Sequence, residues 1–135
     1  MQIINAQLPT LQQQIDALSR DDGQPIYMLN LLKFRDQAAY ADGRESALTG
    51  SQAYDIYGKA MAKMVMAAGG QLIYVGKVRG TLVGGGDAQW DRVAIMMYPS
   101  FKVMAEITGS PAYADIHVHR EAGLAGQVLI ETIKP

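Results

Sequence analysis

The stretch PIYMLNLLKF, residues 25–34, decides the fold. Alternate side chains of a strand point to opposite faces, and in this segment both faces are mainly apolar. A strand with one face in water alternates apolar and polar residues instead. The segment therefore predicts a strand at about residues 24–34 that is covered on both sides, by the chain's own helices on one face and by a further partner on the other.

The composition predicts one domain that binds neither nucleic acid nor membrane. The chain has 135 residues, 12 Lys and Arg against 13 Asp and Glu, and a formal net charge of -1. No basic run is present to attract a polyanion. Because there is no cysteine, disulfides and thiolate metal sites are excluded. The N-terminus lacks the pattern of a signal peptide, and no apolar run approaches the ~20 residues of a membrane span, so we expect a cytoplasmic protein.

Two segments of the first half have helical spacing. Residues 1–23 predict a short apolar lead-in and then an amphipathic helix. The apolar stripe of this helix consists of Leu11, Ile15 and Leu18. The strongest helix of the chain is predicted over Ser51–Ala68, with Thr49 or Ser51 as its N-cap. Between the central strand and this helix, the polar segment 35–50 predicts a long loop, and loops of that length are often functional.

The second half adds three predicted strands and two predicted helices. The strands are predicted over 71–83, 90–99 and 126–135, and the helices over 101–109 and 110–123. The run Gly84-Gly85-Gly86-Asp87 predicts a hairpin turn between the first two of these strands. With the N-terminal helix left aside, the order of elements is that of an α+β, ferredoxin-like βαββαβ sandwich. We predict a single domain over 1–135, made of an N-terminal helical extension (1–23) and a ferredoxin-like core (24–134).

Three tyrosines on elements that should pack together are candidates for a ligand site. Tyr54 and Tyr57 lie on the main helix, and Tyr98 lies on the third strand. Tyrosine is also common at the rim of a core with its hydroxyl in water, so a purely structural role is the alternative. Trp90, at the start of the third strand, suits an apolar anchor as well as a site residue. Interior methionines fit a flexible pocket or ordinary core packing: Met28, Met61, Met64, Met96 and Met97.

Asn30 and Arg120 are polar side chains that we expect to point inward. Asn30 interrupts the central strand, and a buried amide needs partners, which are either structural groups or a ligand. Arg120 follows Tyr113 by seven residues, so it shares the helix face toward the sheet. We expect Arg120 to be partly buried and paired with Asp91, with Asn30 or with a ligand. The first two partners predict a structural tie, and the third predicts a ligand clamp.

The two histidines of the chain lie two residues apart on the last predicted helix. At that spacing they diverge on a helix, so they do not form the helical zinc motif, which needs histidines four residues apart. His117 is placed on the inward face and is a candidate for lining a cavity. His119 follows Asp115 by four residues, which predicts a surface ion pair. We predict no metal site.

Together these motifs resemble an uncharacterised bacterial family of the dimeric α+β barrel superfamily, over about residues 24–133. The motifs are MLNLLKF (28–34), TGSQAYDIYG (49–58), GG (69–70), WDRV (90–93), YPS (98–100), SPAY (110–113) and HREAGL (119–124). The resemblance implies a ferredoxin-like monomer whose sheet faces the sheet of a second copy. It also implies a pocket between sheet and helices, as in relatives that include cofactor-independent monooxygenases, dehydratases, isomerases and haem-dependent enzymes. The Asn and Trp pair of the monooxygenases is not clearly reproduced.

The sequence leads to two functional hypotheses. In the first, a homodimer formed through the sheet face binds a small phenolic or carbonyl compound between sheet and helices, and any reaction there needs no cofactor. The catalytic candidates are His117 and Tyr57, which would move a proton. The ligand-binding candidates are Asn30, Tyr54, Tyr98, Trp90 and Arg120. In the second hypothesis the protein is a non-catalytic ligand-binding or structural dimerisation domain. The sequence does not decide whether it is an enzyme.

Overall fold

The computed structural model describes residues 3–86 and 89–135, so Asp87 of the predicted turn lies outside the described residues. Four strands and four helices follow one another along the chain in the order α1, β1, α2, β2, β3, α3, α4, β4. The strands are β1 (Ile26–Phe34), β2 (Gln71–Lys77), β3 (Arg92–Tyr98) and β4 (Leu124–Thr132). The helices are α1 (Leu11–Ser19), α2 (Gly50–Ala67), α3 (Phe101–Thr108) and α4 (Pro111–Gly123).

The strands form one antiparallel sheet in the order β2-β3-β1-β4. Strand β1 is central, because it pairs with β3 on one side and with β4 on the other. Asn30 lies at the middle of β1, opposite Ala94 of β3 and Leu129 of β4. This order and connectivity are those of the ferredoxin-like α+β fold, here with the additional helix α1 before β1. The predicted ferredoxin-like α+β fold of the monomer is confirmed.

The helix-facing side of the sheet carries the hydrophobic core. Ile26 and Met28 of β1 are 3% and 5% exposed and pack against the inner side of α2. The α2 residues of this core recur at helical spacing, which is why the segment forms a helix over the sheet. The cluster consists of Ile26, Met28, Tyr57, Met61, Val65, Tyr98 and Ile107.

The other side of the sheet is apolar, and no helix formed by the described residues packs against it. We call it the open sheet face; it consists of Tyr27, Leu29, Leu31, Val93, Ile95, Met97, Val128 and Ile130. These side chains are only partly buried, and Ile130 is 43% exposed. Both faces of the central strands are thus apolar, although the chain's helices pack against one face alone.

The segment after β2 departs from the sequence prediction. The strand predicted over 71–83 ends at Lys77, which is the last residue of β2 to pair with β3. Leu82 and Val83 are 98% and 88% exposed, so their apolar side chains find no packing partner that would extend the strand. Gly84-Gly85-Gly86 lie, as predicted, in the connection between the antiparallel strands β2 and β3, but this connection runs from Lys77 to Arg92 and is longer than a tight hairpin turn.

Helix α1 forms as predicted, but its apolar stripe faces outward. Thr10 caps it through a capping box with Gln13, and Ala17 is its buried residue. Leu11 and Leu18, in contrast, are 72% and 62% exposed. The contacts of α1 with the rest of the molecule therefore include the small side chain of Ala17 and the pair of the C-cap Arg20 with Glu131 of β4, but not the apolar stripe.

Residues 3–9, which we call the N-terminal strap, pass around the edge of β4. Ala6 pairs with Gln127, its backbone N–H donating to the Gln127 carbonyl over 3.0 Å. The Asn5 side chain lies against Gly126, where a Cβ would collide with it. Next along the strap, Gln7 reaches helix α4 on the helix-facing side of the sheet. The strap thereby links the edge strand to the helical layer.

Candidate functional site

A chain of aromatic rings runs through the layer between sheet and helices. The ring of Tyr54 lies 5.4 Å from that of Phe34 and 5.3 Å from that of Tyr57, measured between centroids. Tyr57 meets Tyr113 of α4 at 6.1 Å, and Tyr113 stacks on His117 at 6.1 Å. Four phenols, which we call the tyrosine layer, belong to this part of the molecule: Tyr54, Tyr57, Tyr98 and Tyr113.

The local sequence fixes where these rings lie. A capping box between Thr49 and Gln52 starts α2, which sets the rotation of the helix and points Tyr57 at the core. Ser110 caps α4, with Pro111 in its first turn, and so directs Tyr113 toward α2. Gly123 has the Tyr54 backbone close by and no room for a Cβ, so α4 and α2 approach each other closely there.

Burial keeps the phenols protonated. It raises the pKa of Tyr54 to about 12, against the lowering effect of the Arg120 and Arg92 charges. Burial, and then the neighbouring phenol of Tyr113, also raises the pKa of Tyr57 and of Tyr98 above the usual value. At neutral pH these hydroxyls are therefore hydrogen-bond donors, not proton acceptors.

The hydroxyls of Tyr54, Tyr57 and Tyr98 make no hydrogen bond within residues 3–86 and 89–135. They are not sealed off, however. In the described part of the chain, the one fully buried side-chain nitrogen or oxygen without a partner is Nε1 of Trp90, just before β3. The three phenol oxygens therefore touch accessible space, although their rings are largely buried.

Arg120 anchors a chain of polar side chains that ends at Asn30. Its Nη2 donates to the backbone carbonyl of Gln7 over 2.7 Å and to Oε1 of Gln127. Nε2 of Gln127 donates to Oδ1 of Asn30 over 2.7 Å. The Asn30 amide donates in turn to the carbonyl of Ala94 over 3.2 Å. We call Asn30, Gln127, Arg120 and Gln7 the polar chain.

Arg120 is partly buried and paired, as predicted, but not with Asp91. Oδ2 of Asp91 accepts from the backbone N–H of Phe34 over 2.9 Å, and its Oδ1 lies 3.3 Å from Nζ of Lys33. Asp91 is thus engaged at the end of β1. The positive charge of Arg120 opposes, without overcoming, the effect of burial that raises the pKa of Tyr54 and of Tyr57.

The two histidines have different partners. Nδ1 of His117 lies 2.9 Å from Oε2 of Glu121, one turn further along α4. Nδ1 of His119 lies 2.7 Å from the hydroxyl of Tyr40, so the predicted ion pair with Asp115 is wrong. The loop before α2 brings Tyr40 onto this helix face, which spacing within the helix alone does not reveal. Burial, and then the Arg44 charge, lowers the pKa of His119.

Two surface clefts lie away from the tyrosine layer. The larger, of about 450 Å³, is lined by Gln7, Leu8, Arg35, Ala39, Tyr40, Ala41 and Glu121. The smaller, of about 220 Å³, is lined by Arg20, Asp21, Asp22, Gln24, Ile26, Glu131, Thr132 and Ile133. Neither is lined by a residue that the sequence analysis assigned to the site.

The structure places the predicted site residues in two groups and adds two residues to the second. Tyr54, Tyr57 and Tyr98 lie in the tyrosine layer, with His117 stacked on Tyr113. Asn30 and Arg120 belong to the polar chain, and the described contacts of Trp90 connect it to neither group. Sequence reasoning missed Gln127 and Gln7. Gln127 lies opposite Leu32 on the helix-facing side of the sheet. The sequence signal that could have identified it is a polar residue at a strand position that faces the core.

Within 3–86 and 89–135, no group of three or more His, Asp or Glu side chains is arranged to hold a metal ion. Among the same residues, no helix is long and apolar enough to cross a membrane.

Comparison with known proteins identifies the family. The family model described as "Domain of unknown function (DUF1330)" matches residues 38–132. A protein of unknown function from Rhodopseudomonas palustris has 32% identity and a TM-score of 0.84, with 98% of this chain and 100% of that chain covered. The methylated form of that protein gives 34% identity and a TM-score of 0.86, with 98% of each chain covered.

A more distant structure supports the fold alone. It is an uncharacterized NIPSNAP domain protein from Burkholderia xenovorans, with 9% identity, a TM-score of 0.52, and 83% of this chain and 95% of that chain covered. No curated protein matches the sequence. The predicted resemblance to an uncharacterised family is confirmed, and the chain belongs to the DUF1330 family.

Proposed function

We propose that the protein is a homodimer that binds a small phenolic or carbonyl compound at the tyrosine layer, between the sheet and helices α2 and α4. One observation carries the proposal. The rings of Tyr54, Tyr57 and Tyr98 are largely buried, yet their hydroxyls have no acceptor among the described residues. Because these hydroxyls reach accessible space, a ligand oxygen that accepts from them takes the place of water, and each such hydrogen bond contributes a net gain of about 0.5–1.5 kcal/mol.

The walls of this layer suit an apolar guest. Met61 is buried in the core cluster, and Met64 and Met96 pack against it. Methionine adapts its shape at little cost, so side chains of this kind can make room for a planar compound. Edge and face contacts with the tyrosine rings would hold such a compound in a fixed orientation.

The open sheet face supports the homodimer. If two copies each bury about 800 Å² there, at about 25 cal/mol per Å² the gross gain is about 20 kcal/mol per subunit before association costs. Sheets that pack face to face lie about 10 Å apart, which apolar side chains of this size can fill. An exposed sheet face of the same composition would instead promote aggregation.

If the protein is an enzyme, His117 is the group best placed to move a proton. Its Nδ1 lies 2.9 Å from Oε2 of Glu121, an arrangement that fixes the orientation of the imidazole. Tyr57 keeps its proton at neutral pH, so it would act as a donor to a developing oxyanion. Such proton transfer requires no metal or organic cofactor. A cytoplasmic location stays a prediction.

Native mass spectrometry and ligand-observed NMR with small phenols and ketones test the proposal. We expect a dimer mass, and binding that Tyr54→Phe combined with Tyr98→Phe weakens by about tenfold, because both rings remain but two donors are lost. The control is Tyr74→Phe, whose ring is 57% exposed at the sheet edge. If no compound binds to the parent protein, the alternative of a structural dimerisation domain is favoured.

A further inference from the structure

We infer that the larger surface cleft binds a small aliphatic α-amino acid in its zwitterionic form. We call it the strap cleft, because the N-terminal strap, the loop before α2 and the end of helix α4 line it. Its volume of about 450 Å³ falls in the range of small-molecule sites. This site is separate from the one proposed at the tyrosine layer, so each can be tested without the other.

The walls of the strap cleft are held by hydrogen bonds between segments that are distant in sequence. The backbone N–H of Arg35 donates to the carbonyl of Gly123 over 2.8 Å, and that of Ala39 donates to the carbonyl of Ala122 over 2.9 Å. The polar chain holds Gln7 of the strap at the same cleft. Because these walls are already fixed, a ligand does not have to order them when it binds.

Arg35 supplies the positive charge of the strap cleft. The residue is exposed, and its guanidinium makes no hydrogen bond or ion pair within residues 3–86 and 89–135. The planar fork of a guanidinium matches the two oxygens of a carboxylate. Arg35 can therefore bind the carboxylate of a ligand without giving up a protein partner in the described ranges.

Glu121 supplies the negative charge. Its Oε2 lies 2.9 Å from Nδ1 of His117, whereas its Oε1 accepts from no residue of the described part of the chain. A carboxylate only accepts hydrogen bonds, so Nδ1 carries a proton whether the imidazole is neutral or charged. The free Oε1 is a suitable acceptor for the ammonium group of a ligand.

The two charged side chains start from neighbouring points of the backbone. Arg35 is hydrogen-bonded to Gly123, which is two residues beyond Glu121 in the sequence. An α-amino acid carries its carboxylate and its ammonium group on one carbon atom, so it can meet both charges at once. A simple acid or a simple amine would satisfy only one of them. Three aliphatic residues complete the lining and can contact an apolar side chain of the ligand: Leu8, Ala39 and Ala41.

Both histidines of the chain contact a residue of the strap cleft and can report on its occupancy. Nδ1 of His119 lies 2.7 Å from the hydroxyl of Tyr40, and Nδ1 of His117 lies 2.9 Å from Glu121. A ligand in the strap cleft should therefore shift the NMR signals of both imidazoles. A ligand in the tyrosine layer, where His117 stacks on Tyr113, should shift the signals of His117 alone.

An NMR titration of protein with isotope-labelled histidine tests the inference, with leucine, isocaproate and isoamylamine as probes at pH 7. The three probes share a branched alkyl group; isocaproate lacks the ammonium group and isoamylamine lacks the carboxylate. We expect leucine to bind about tenfold or more tightly than either of the others and to shift the signals of both histidines.

Two variants separate the contributions of the two charges. Arg35→Gln should lower the affinity for leucine to that for isoamylamine, and Glu121→Gln should lower it to that for isocaproate. The second variant keeps an amide oxygen that can accept from His117. The matched controls are Arg79→Gln and Glu106→Gln, at exposed positions of the β2–β3 connection and of α3, and both should bind leucine like the parent. Melting temperatures confirm that all four variants are folded.

The contrary outcomes are distinct. If isocaproate or isoamylamine binds as tightly as leucine, the zwitterion is the wrong ligand class. If leucine shifts the signals of His117 alone, it binds outside the strap cleft and the inference is wrong. Absence of leucine binding to the parent protein would also overturn the inference, and it would leave the proposed function intact, because phenols and ketones test that function.

Discussion

The side-chain amide of Gln127 donates a hydrogen bond of 2.7 Å to Oδ1 of Asn30 in the middle of the central strand. Through Arg120, the same glutamine is connected to the carbonyl of Gln7 in the N-terminal strap. The strap lies outside the 38–132 range of the family match, yet it is tied by this polar chain to the centre of the sheet.

Replacing Arg120 with Met should destabilise the protein by about 1–3 kcal/mol, because the Gln127 amide oxygen and the Gln7 carbonyl lose their charged donor. Urea denaturation followed by circular dichroism measures the change. Arg44→Met is the matched control, since it removes an exposed arginine paired with Asp42 and should leave the midpoint unchanged. Equal midpoints for both variants and the parent would show that the polar chain contributes nothing to stability.

Asn30 and Gln127 should be energetically coupled. Asn30→Ala leaves Nε2 of the buried Gln127 without its acceptor, and Gln127→Ala leaves Oδ1 of Asn30 without its donor. In a double-mutant cycle, the coupling free energy is expected to be about 0.5–1.5 kcal/mol, as for a hydrogen bond between neutral groups. Strictly additive effects would mean that water replaces the lost partner in both single variants.

Ile95→Lys should convert the proposed dimer into a folded monomer. Ile95 lies on the open sheet face, and a lysine there would place a charge between two packed sheets at the cost of desolvation. Analytical ultracentrifugation at micromolar concentration measures the molecular mass, and circular dichroism shows whether the variant is folded. Met66→Lys, at a 65% exposed position on α2, is the control that should keep the parent's mass. A monomeric parent would refute the dimer.

The raised pKa of Tyr54 predicts a loss of stability at alkaline pH. The folded state holds this proton until about pH 12, whereas an unfolded tyrosine releases it near pH 10. Between these values the unfolded state binds fewer protons, so the free energy of unfolding falls as pH rises, by at most about 1.4 kcal/mol per pH unit for this group.

Urea denaturation at a series of pH values from 9 to 12 detects this effect. Tyr54→Phe should reduce the alkaline slope, since the phenol that resists ionisation is gone. Tyr74→Phe, with a solvent-exposed ring, should keep the slope of the parent protein. The same slope in Tyr54→Phe and in the parent would show that Tyr54 ionises equally in both states.

The sequence by itself determined the order and type of the elements. The two apolar faces of residues 25–34 predicted a central strand, and the spacing in residues 51–68 predicted the helix that covers it. These patterns are local, because the hydrophobic period of a strand or helix can be recognised within a short stretch of neighbouring residues. The N-cap of this helix, Thr49, was equally visible.

Tertiary structure alone decided which polar groups meet. Gln127 and Asn30 are 97 residues apart in the sequence, and no local pattern indicates that their amides pair. The partner of His119 is Tyr40 and not Asp115, because the loop before α2 folds back over α4. Arg120 binds Gln7, not Asp91, because the strap passes around β4 and Asp91 holds the end of β1. A side-chain hydrogen bond forms only when donor and acceptor are positioned to within a few tenths of an ångström. For segments that are distant in sequence, only the packed chain fixes these positions.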